Sequence, residues 1–201
     1  MRLLLIGPPG CGKGTQAVRL AEHYGVEHIS SGDLLRRHVA ERTSIGRAAE
    51  RCMSRGDLVP DGVVMDILRR PVEAAAKRGG YILDGFPRTV QQAESAYLVA
   101  KALGASVRIA LFLQVSRPEL IRRLLDRGAR DGRTDDTAEV VNHRLDVFGQ
   151  LTEPLLDYYS GRETLITVDG DRPVDEVTRS AISQLGAALR HRDAGRIEQI
   201  G

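Results

Sequence analysis

Residues 3–15 read LLLIGPPGCGKGT, an apolar run followed by Gly7, Gly10, Gly12 and Gly14, with Lys13 between the last two and Thr15 closing the stretch. A short apolar run that ends in turn residues reads as a buried strand. The residues after it, QAVRLAEHY, carry apolar positions at helical spacing. Four glycines between a strand and a helix free successive backbone N–H groups to converge on an anion, and the helix adds its positive end. The stretch therefore reads as a phosphate loop. One feature departs from the strict spacing, in which Ser or Thr follows the lysine at once. Here Gly14 follows Lys13, and the hydroxyl arrives one residue later, at Thr15.

A chain of 201 residues fits one α/β domain with small insertions. With 42% hydrophobic and 28% charged residues the composition is that of a globular domain. No apolar run approaches the ~20 residues of a membrane span, and RLLLIG is too short for a signal-peptide core. Two cysteines, Cys11 and Cys52, supply neither a disulfide framework nor a four-ligand zinc site. A cytoplasmic setting without membrane contact is the expectation. The net charge of +2 gives no case for nucleic acid. Only Lys13, Lys77 and Lys101 are lysines among 29 basic residues, so an arginine at a given position says little. Lys13 says more, because a compact ammonium stands where phosphate oxygens would be met.

Apolar runs and helical segments alternate along the chain. Strands are expected at 3–6, 27–30, 81–84, 108–115 and 164–169. Helices are expected from Thr15 to Tyr24, over 32–41, 45–54, 61–78 and 89–103, from Pro118 to near Gly128, over 137–159, and from Pro173 onward. The pattern predicts a doubly wound α/β fold, a five-stranded parallel sheet flanked by helices, with ligands at the carboxyl ends of the strands. Two segments exceed what a crossover needs. Residues 30–59 hold two short helices, and 126–136, DRGARDGRTDD, read as a charged loop. The polar tail 191–201 is expected to fray.

In YILDGFPRT (81–89), Asp84 ends an apolar run and so stands at a strand tip beside the loop. It either caps the turn before Gly85 or acts on Mg²⁺, directly or through water. In SSGDLLRR (30–37), Ser30 or Ser31 suits a helix N-cap and Asp33 its first turn, while Ser31 and Arg36 can also face a bound phosphate or base. Arg123 and Arg127, four apart, share one helix face. Arg133 follows the charged loop and Arg144 lies on the next helix. Each alone is more often a solvated arginine, but transfer between two nucleotides requires about seven or eight negative charges to be neutralised by such donors.

Read together, GPPGCGKGT, SSGDLLR, GDLVPD (56–61), DGFPRT with Gln92, LLDRG (124–128), GRTDD (132–136) and VDGDRP (168–173) resemble adenylate kinase, in order and over nearly the whole chain. The resemblance implies a P-loop three-layer sandwich and the reaction ATP + AMP = 2 ADP with Mg²⁺. It implies a core of 1–29, 60–125 and 137–201, an AMP-binding insertion at 30–59 and a short lid at 126–136, without the zinc-binding cysteines of longer lids. Gly10, Cys11, Gly12, Lys13, Gly14 and Thr15 would hold the ATP phosphates. Ser31, Arg36, Asp57, Leu58, Val59, Gly85, Phe86, Pro87 and Arg88 would form the AMP site, with Gln92 reading the adenine and Phe86–Pro87 a cis peptide. Arg123 and Arg127 would grip ATP, Arg133 and Arg144 would bridge the transferred phosphoryl group and AMP, and Arg172 would lie at the ATP adenine. Ser31 replaces a common Thr. With Gly14 in place of the first hydroxyl, the metal has no direct protein ligand and Asp84 acts on it through water.

The small-molecule partners implied are ATP, AMP and ADP, with no nucleic acid, and a monomer is the expectation. A UMP/CMP kinase on the same scaffold is the nearest alternative; Thr89 and Gln92 favour adenine. A non-catalytic nucleotide sensor should have lost Lys13, Arg88 or the lid arginines. A water-using ATPase would not need a second phosphate site.

Overall fold

In the computed structural model, which describes residues 1–131, 137–162 and 164–197, strands and helices alternate as the apolar pattern predicts. The strands are β1 (Arg2–Ile6), β2 (Glu27–Ser30), β3 (Tyr81–Asp84), β4 (Ile109–Gln114) and β5 (Thr164–Asp169). All neighbours pair in parallel, in the order β2-β3-β1-β4-β5. The helices are α1 (Lys13–Tyr24), α2 (Ser31–Ala40), α3 (Ser44–Met53), α4 (Asp61–Lys77), α5 (Val90–Ala102), α6 (Arg117–Asp131), α7 (Ala138–Val147), α8 (Leu155–Ser160) and α9 (Val174–Ile197).

Alternation along β1 sends its side chains to two separate cores. Leu3 and Leu5 pack with Leu20 of α1, Leu120 and Leu124 of α6, Val141 of α7 and Leu185 of α9. Leu4 and Ile6 pack with Leu35 of α2, Val64 and Leu68 of α4, Ala93 of α5 and Leu155 of α8. Leu3 and Leu4 are fully buried, and such burial contributes roughly 2 kcal/mol per side chain. The result is three layers, helix–sheet–helix. Register sets the site: Leu5 of β1 and Ser30 of β2 both lie beside Asp84, so the ends of three strands meet next to the loop after β1.

Three expectations are corrected. Helix α6 does not stop near Gly128 but runs through Asp131, so residues 126–131 are helical rather than loop. A glycine in a helix interior costs only about 1 kcal/mol, and Arg122 braces the helix by bonding Glu119 one turn back and Asp126 one turn on. The single helix expected over 137–159 is three pieces: α7, a widened turn at Phe148–Thr152, and α8. In the widened turn the Glu153 N–H reaches the Phe148 carbonyl, five residues back, at 2.9 Å. Pro154 accounts for the change, since it has no N–H and its ring would strike the carbonyl of Gln150 in a regular helix. Helix α9 runs on into the segment expected as a tail, through Ile197, and residues 198–201 lie outside the described ones.

Candidate active site

The loop after β1 is built by backbone. Gly12 caps α1 at φ 94°, in the left-handed region, with no side-chain hydrogen bond at the cap. The first N–H groups of α1 therefore keep their donors for an anion. The helix starts at Lys13, two residues earlier than expected. Gly10, at φ 84°, is also demanded by packing: a Cβ there would lie 2.8 Å from Leu124 Cγ and 3.1 Å from the Leu120 carbonyl. Helix α6 thus rests on the loop. Lys13 Nζ donates to the carbonyls of Gly7 (2.6 Å) and Pro8 (3.0 Å), so its ammonium is held over the loop. The Cys11 thiol is buried, and burial pushes its pKa up despite the Lys13 charge, which leaves it an inert packing group.

At the tip of β3, Asp84 is buried, with Oδ1 lacking a partner and Oδ2 3.9 Å from His28 Nε2. A buried, unsatisfied carboxylate oxygen at this place fits a hard cation or a water bound to one. The turn that follows has the expected cis Phe86–Pro87 bond. Gly85, at φ 82°, admits Ser31 closely: a Cβ would meet Ser31 Oγ at 2.6 Å. Ser30 is the N-cap of α2, accepting from the Asp33 N–H at 3.2 Å, which releases Ser31 from that task. The Ser31 hydroxyl is buried without a partner.

Arg88 is held by its own neighbourhood. Its N–H donates to Gln92 Oε1 (2.7 Å), and its Nε to the Gly85 carbonyl (2.7 Å). Burial lowers its pKa, and the Arg144 charge adds to this; Arg36 does the same, while Asp84 opposes. A guanidinium among guanidiniums, partly desolvated, is a site that an anion would relieve. Gln92 is buried and its amide orientation is set from both ends, because Nε2 donates to Asp61 Oδ1 at 2.6 Å. Arg36 pairs with Asp33 at 2.5 Å. Burial alone would raise the Asp33 carboxyl, but the hydrogen bond and charge of Arg36 outweigh it and hold the pKa low.

On the opposite wall, Arg123 donates to Glu119 (2.7 Å) and to the Gly170 carbonyl (2.9 Å), tying α6 to the turn after β5. Arg172 in that turn pairs with Asp169 at 3.0 Å. Asp57 meets His143 of α7 at 2.8 Å, which brings the 57–59 segment against the helix that carries Arg144.

These parts line two connected cavities. The larger, about 910 Å³, is bounded by the loop with Lys13 and Thr15, by Asp84, and by Arg88, Arg123, Arg127, Arg144 and Arg172. The smaller, about 60 Å³, is bounded by Ser31, Asp57, Leu58, Val59, Phe86 and Gln92. Arg36, Arg88 and Arg144 line both. Every sequence-predicted site residue among the described ones borders one cavity or the other; Arg133 lies outside the described residues. Sequence reasoning missed Asp61, which sets the Gln92 amide, and Thr152, whose hydroxyl donates to the Arg88 carbonyl at 2.8 Å. Asp61 closes the stretch GDLVPD, but nothing in that stretch says that it meets Gln92. Thr152 did, since Pro154 two residues on marks a break in the helix.

Among the described residues no helix is long and apolar enough to cross a membrane. A model of the adenylate kinase family matches residues 5–164. The chain is 42% identical to the adenylate kinase of Kocuria rhizophila over 184 residues, covering 92% of this chain and 98% of that one. It is 45% identical to the adenylate kinase of Nitrobacter winogradskyi over 185 residues, 89% of this chain and 90% of the relative. Adenylate kinase 1 of Nostoc sp. is 42% identical over 186 residues, 92% and 99% of the two chains. With the family model and these relatives matching most of its length, the chain belongs to the adenylate kinase family.

Proposed function

We infer that the chain catalyses the reversible transfer ATP + AMP = 2 ADP. The observation that carries this reading is the pair of connected cavities with Arg36, Arg88 and Arg144 at their junction. One cavity has the phosphate loop, and the other has a buried amide and a buried hydroxyl among apolar walls. The two adjoin where nucleotides would meet phosphate to phosphate, and the smaller, at about 60 Å³, has to widen to admit a nucleoside.

Each residue then has a task. The N–H groups at the start of α1 and the Lys13 ammonium bind the β- and γ-phosphates of ATP. Arg36 and Arg88 hold the AMP phosphate. Ser31, Leu58 and Val59 line the AMP pocket, and the Gln92 amide faces the adenine. Arg123 and Arg127 grip the ATP phosphates, Arg144 bridges the group in transit and the AMP phosphate, and Arg133 is assigned the same bridging task. Arg172 with Gly170 lines the ATP adenine end. An AMP phosphate oxygen attacks the γ-phosphorus in line. The new P–O bond forms as the β–γ bridge breaks, and the bridging oxygen leaves on ADP. No side chain is covalently modified, so catalysis is positioning and electrostatics. Mg²⁺ bound with ATP would neutralise charge on the phosphates, and the buried, unpaired Asp84 oxygen would hold it through water. With Gly14 after Lys13, the loop offers no hydroxyl at the usual metal position.

A kinase of this kind has to exclude water from the γ-phosphate. Residues 30–59 and 126–136 are the parts assigned to closure over the nucleotides; the adenylate kinase lid is a standard example of such motion. Hydrogen exchange in both segments is expected to slow when a bisubstrate analogue binds, and unchanged exchange counts against this assignment.

The deciding experiment is a coupled ADP assay with ATP, Mg²⁺ and AMP, UMP, CMP or GMP in turn. AMP is expected to turn over fastest. Faster UMP or CMP turnover would make the chain a pyrimidine monophosphate kinase, and no ADP at all would make it a binding protein.

A further inference from the structure

Among the described residues five polar or charged side chains are buried: Gln16, Ser31, Asp84, Gln92 and Thr152. Thr152 stands out because it belongs to no recognised loop. It sits at the end of the widened turn Phe148–Thr152 and lines the larger cavity with Arg144, Val147 and Phe148. Its hydroxyl donates to the Arg88 carbonyl at 2.8 Å, across 64 positions of sequence.

The turn explains how Thr152 gets there. At ~100° per residue, eight residues of regular helix would leave Thr152 about 80° round from Arg144. A turn closed five residues apart is wider and takes up most of that angle, so both side chains face the cavity. Such turns are inserted in helices chiefly where a site needs them. Pro154 supplies the local cause, and Thr152 is the residue that the change turns inward.

The consequence falls on Arg88. Two of its hydrogen bonds come from its own side, through Gln92 and Gly85. The third crosses from the wall that carries Arg144. We propose that Thr152 is a positioning residue for the acceptor phosphate: its hydroxyl holds the Arg88 peptide so that the Arg88 and Arg144 guanidiniums converge on one phosphate group. The proposal rests on reading Arg88 as a ligand of the AMP phosphate. Thr152 does not touch the nucleotide. It sets the relative position of two arginines that come from distant parts of the chain.

The test is calorimetric binding of AMP and of ATP, each alone, to the intact chain and to Thr152→Val, Thr152→Ser and Arg88→Ala. Val keeps the branched shape and removes the donor; Ser keeps the donor. Losing one hydrogen bond on a partly buried carbonyl is expected to raise the Kd for AMP about fivefold in Thr152→Val. The Kd for ATP should stay within twofold, and Thr152→Ser should bind AMP within twofold of the parent. Thr152→Ala, which adds no bulk, takes the place of the Val variant if that one does not fold. Equal changes for AMP and ATP, or a serine variant as weak as the valine one, would reduce Thr152 to core packing. AMP binding unchanged in Thr152→Val but lost in Arg88→Ala would overturn the positioning role and leave the Arg88 reading intact. AMP binding within twofold of the parent in Arg88→Ala would overturn that reading itself.

Discussion

The loop at Gly7–Thr15 and the arm formed by α6, α7 and the widened turn face each other across one cleft, yet they are made by different means. The loop presents backbone. Its shape comes from left-handed glycines and the open N-terminus of α1, all within nine consecutive residues. The arm presents side chains: Arg123, Arg127, Arg144 and Thr152 reach the cleft only because helices run on, or break, at particular residues. Backbone donors are fixed by local conformation and lose little freedom on binding. Arginine side chains have to be held, and the structure shows what holds Arg123: Glu119 on one side and the Gly170 carbonyl on the other. A charge presented by backbone needs glycines, whereas a charge presented by side chain needs partners.

The largest effect should come from stripping the one formal charge off the loop. Lys13→Ala is expected to lower kcat/KM about 10³-fold while leaving the fold intact, since the ammonium touches only polar atoms of the loop itself, the Gly7 and Pro8 carbonyls and the Cys11 sulfur. Arg88→Ala should lower kcat/KM about 10²-fold or more, with the loss concentrated in AMP. Steady-state kinetics with each nucleotide varied in turn, alongside circular dichroism, separates the two. If both variants lost ATP and AMP equally, the division into a donor end at the loop and an acceptor end at Arg88 would fail. A loss of only a few-fold at Arg88 would mean that the acceptor site lies elsewhere.

The same contrast explains what could be read from the sequence. Gly7, Gly10, Gly12 and Lys13 announced the loop because its shape is a property of adjacent residues, and the apolar runs announced all five strands for a similar reason. Asp84 was placed at a strand tip by the end of the run YILD, and the structure puts it there. The arm was read less well. Gly128 suggested an end to α6, but one glycine costs a helix only about 1 kcal/mol, and the helix runs past it to Asp131. Pro154 was passed over inside a long periodic segment, and with it went Thr152, whose partner lies 64 residues away. Asp61 was missed on the same ground, for its hydrogen bond to Gln92 spans 31 residues. Periodicity reports which face is buried. It does not report which polar group on that face meets which distant carbonyl.

The smallest effect concerns how firmly the arm is held, and it is one of pH. Hydrogen bonds from Arg122, then from Arg123, hold the Glu119 carboxyl down at about 2. A carboxylate depressed below its ordinary value of about 4.3 contributes stability that is present above that value. The contribution is lost only as pH falls from there toward 2. Glu119 therefore stays ionised, and keeps its bond to Arg123, through any pH at which the enzyme works. Carbon-13 NMR of glutamate carboxyls should give Glu119 a midpoint near 2, moving upward at high salt because exposed pairs are screened. Glu119→Gln should leave ATP binding nearly unchanged at neutral pH, because the Gly170 carbonyl still holds Arg123 and Arg122 keeps its pair with Asp126. A midpoint near 4.3 in the parent chain would mean that Arg123 is not held by Glu119 in solution. The arm would then present an Arg123 held by the Gly170 carbonyl alone.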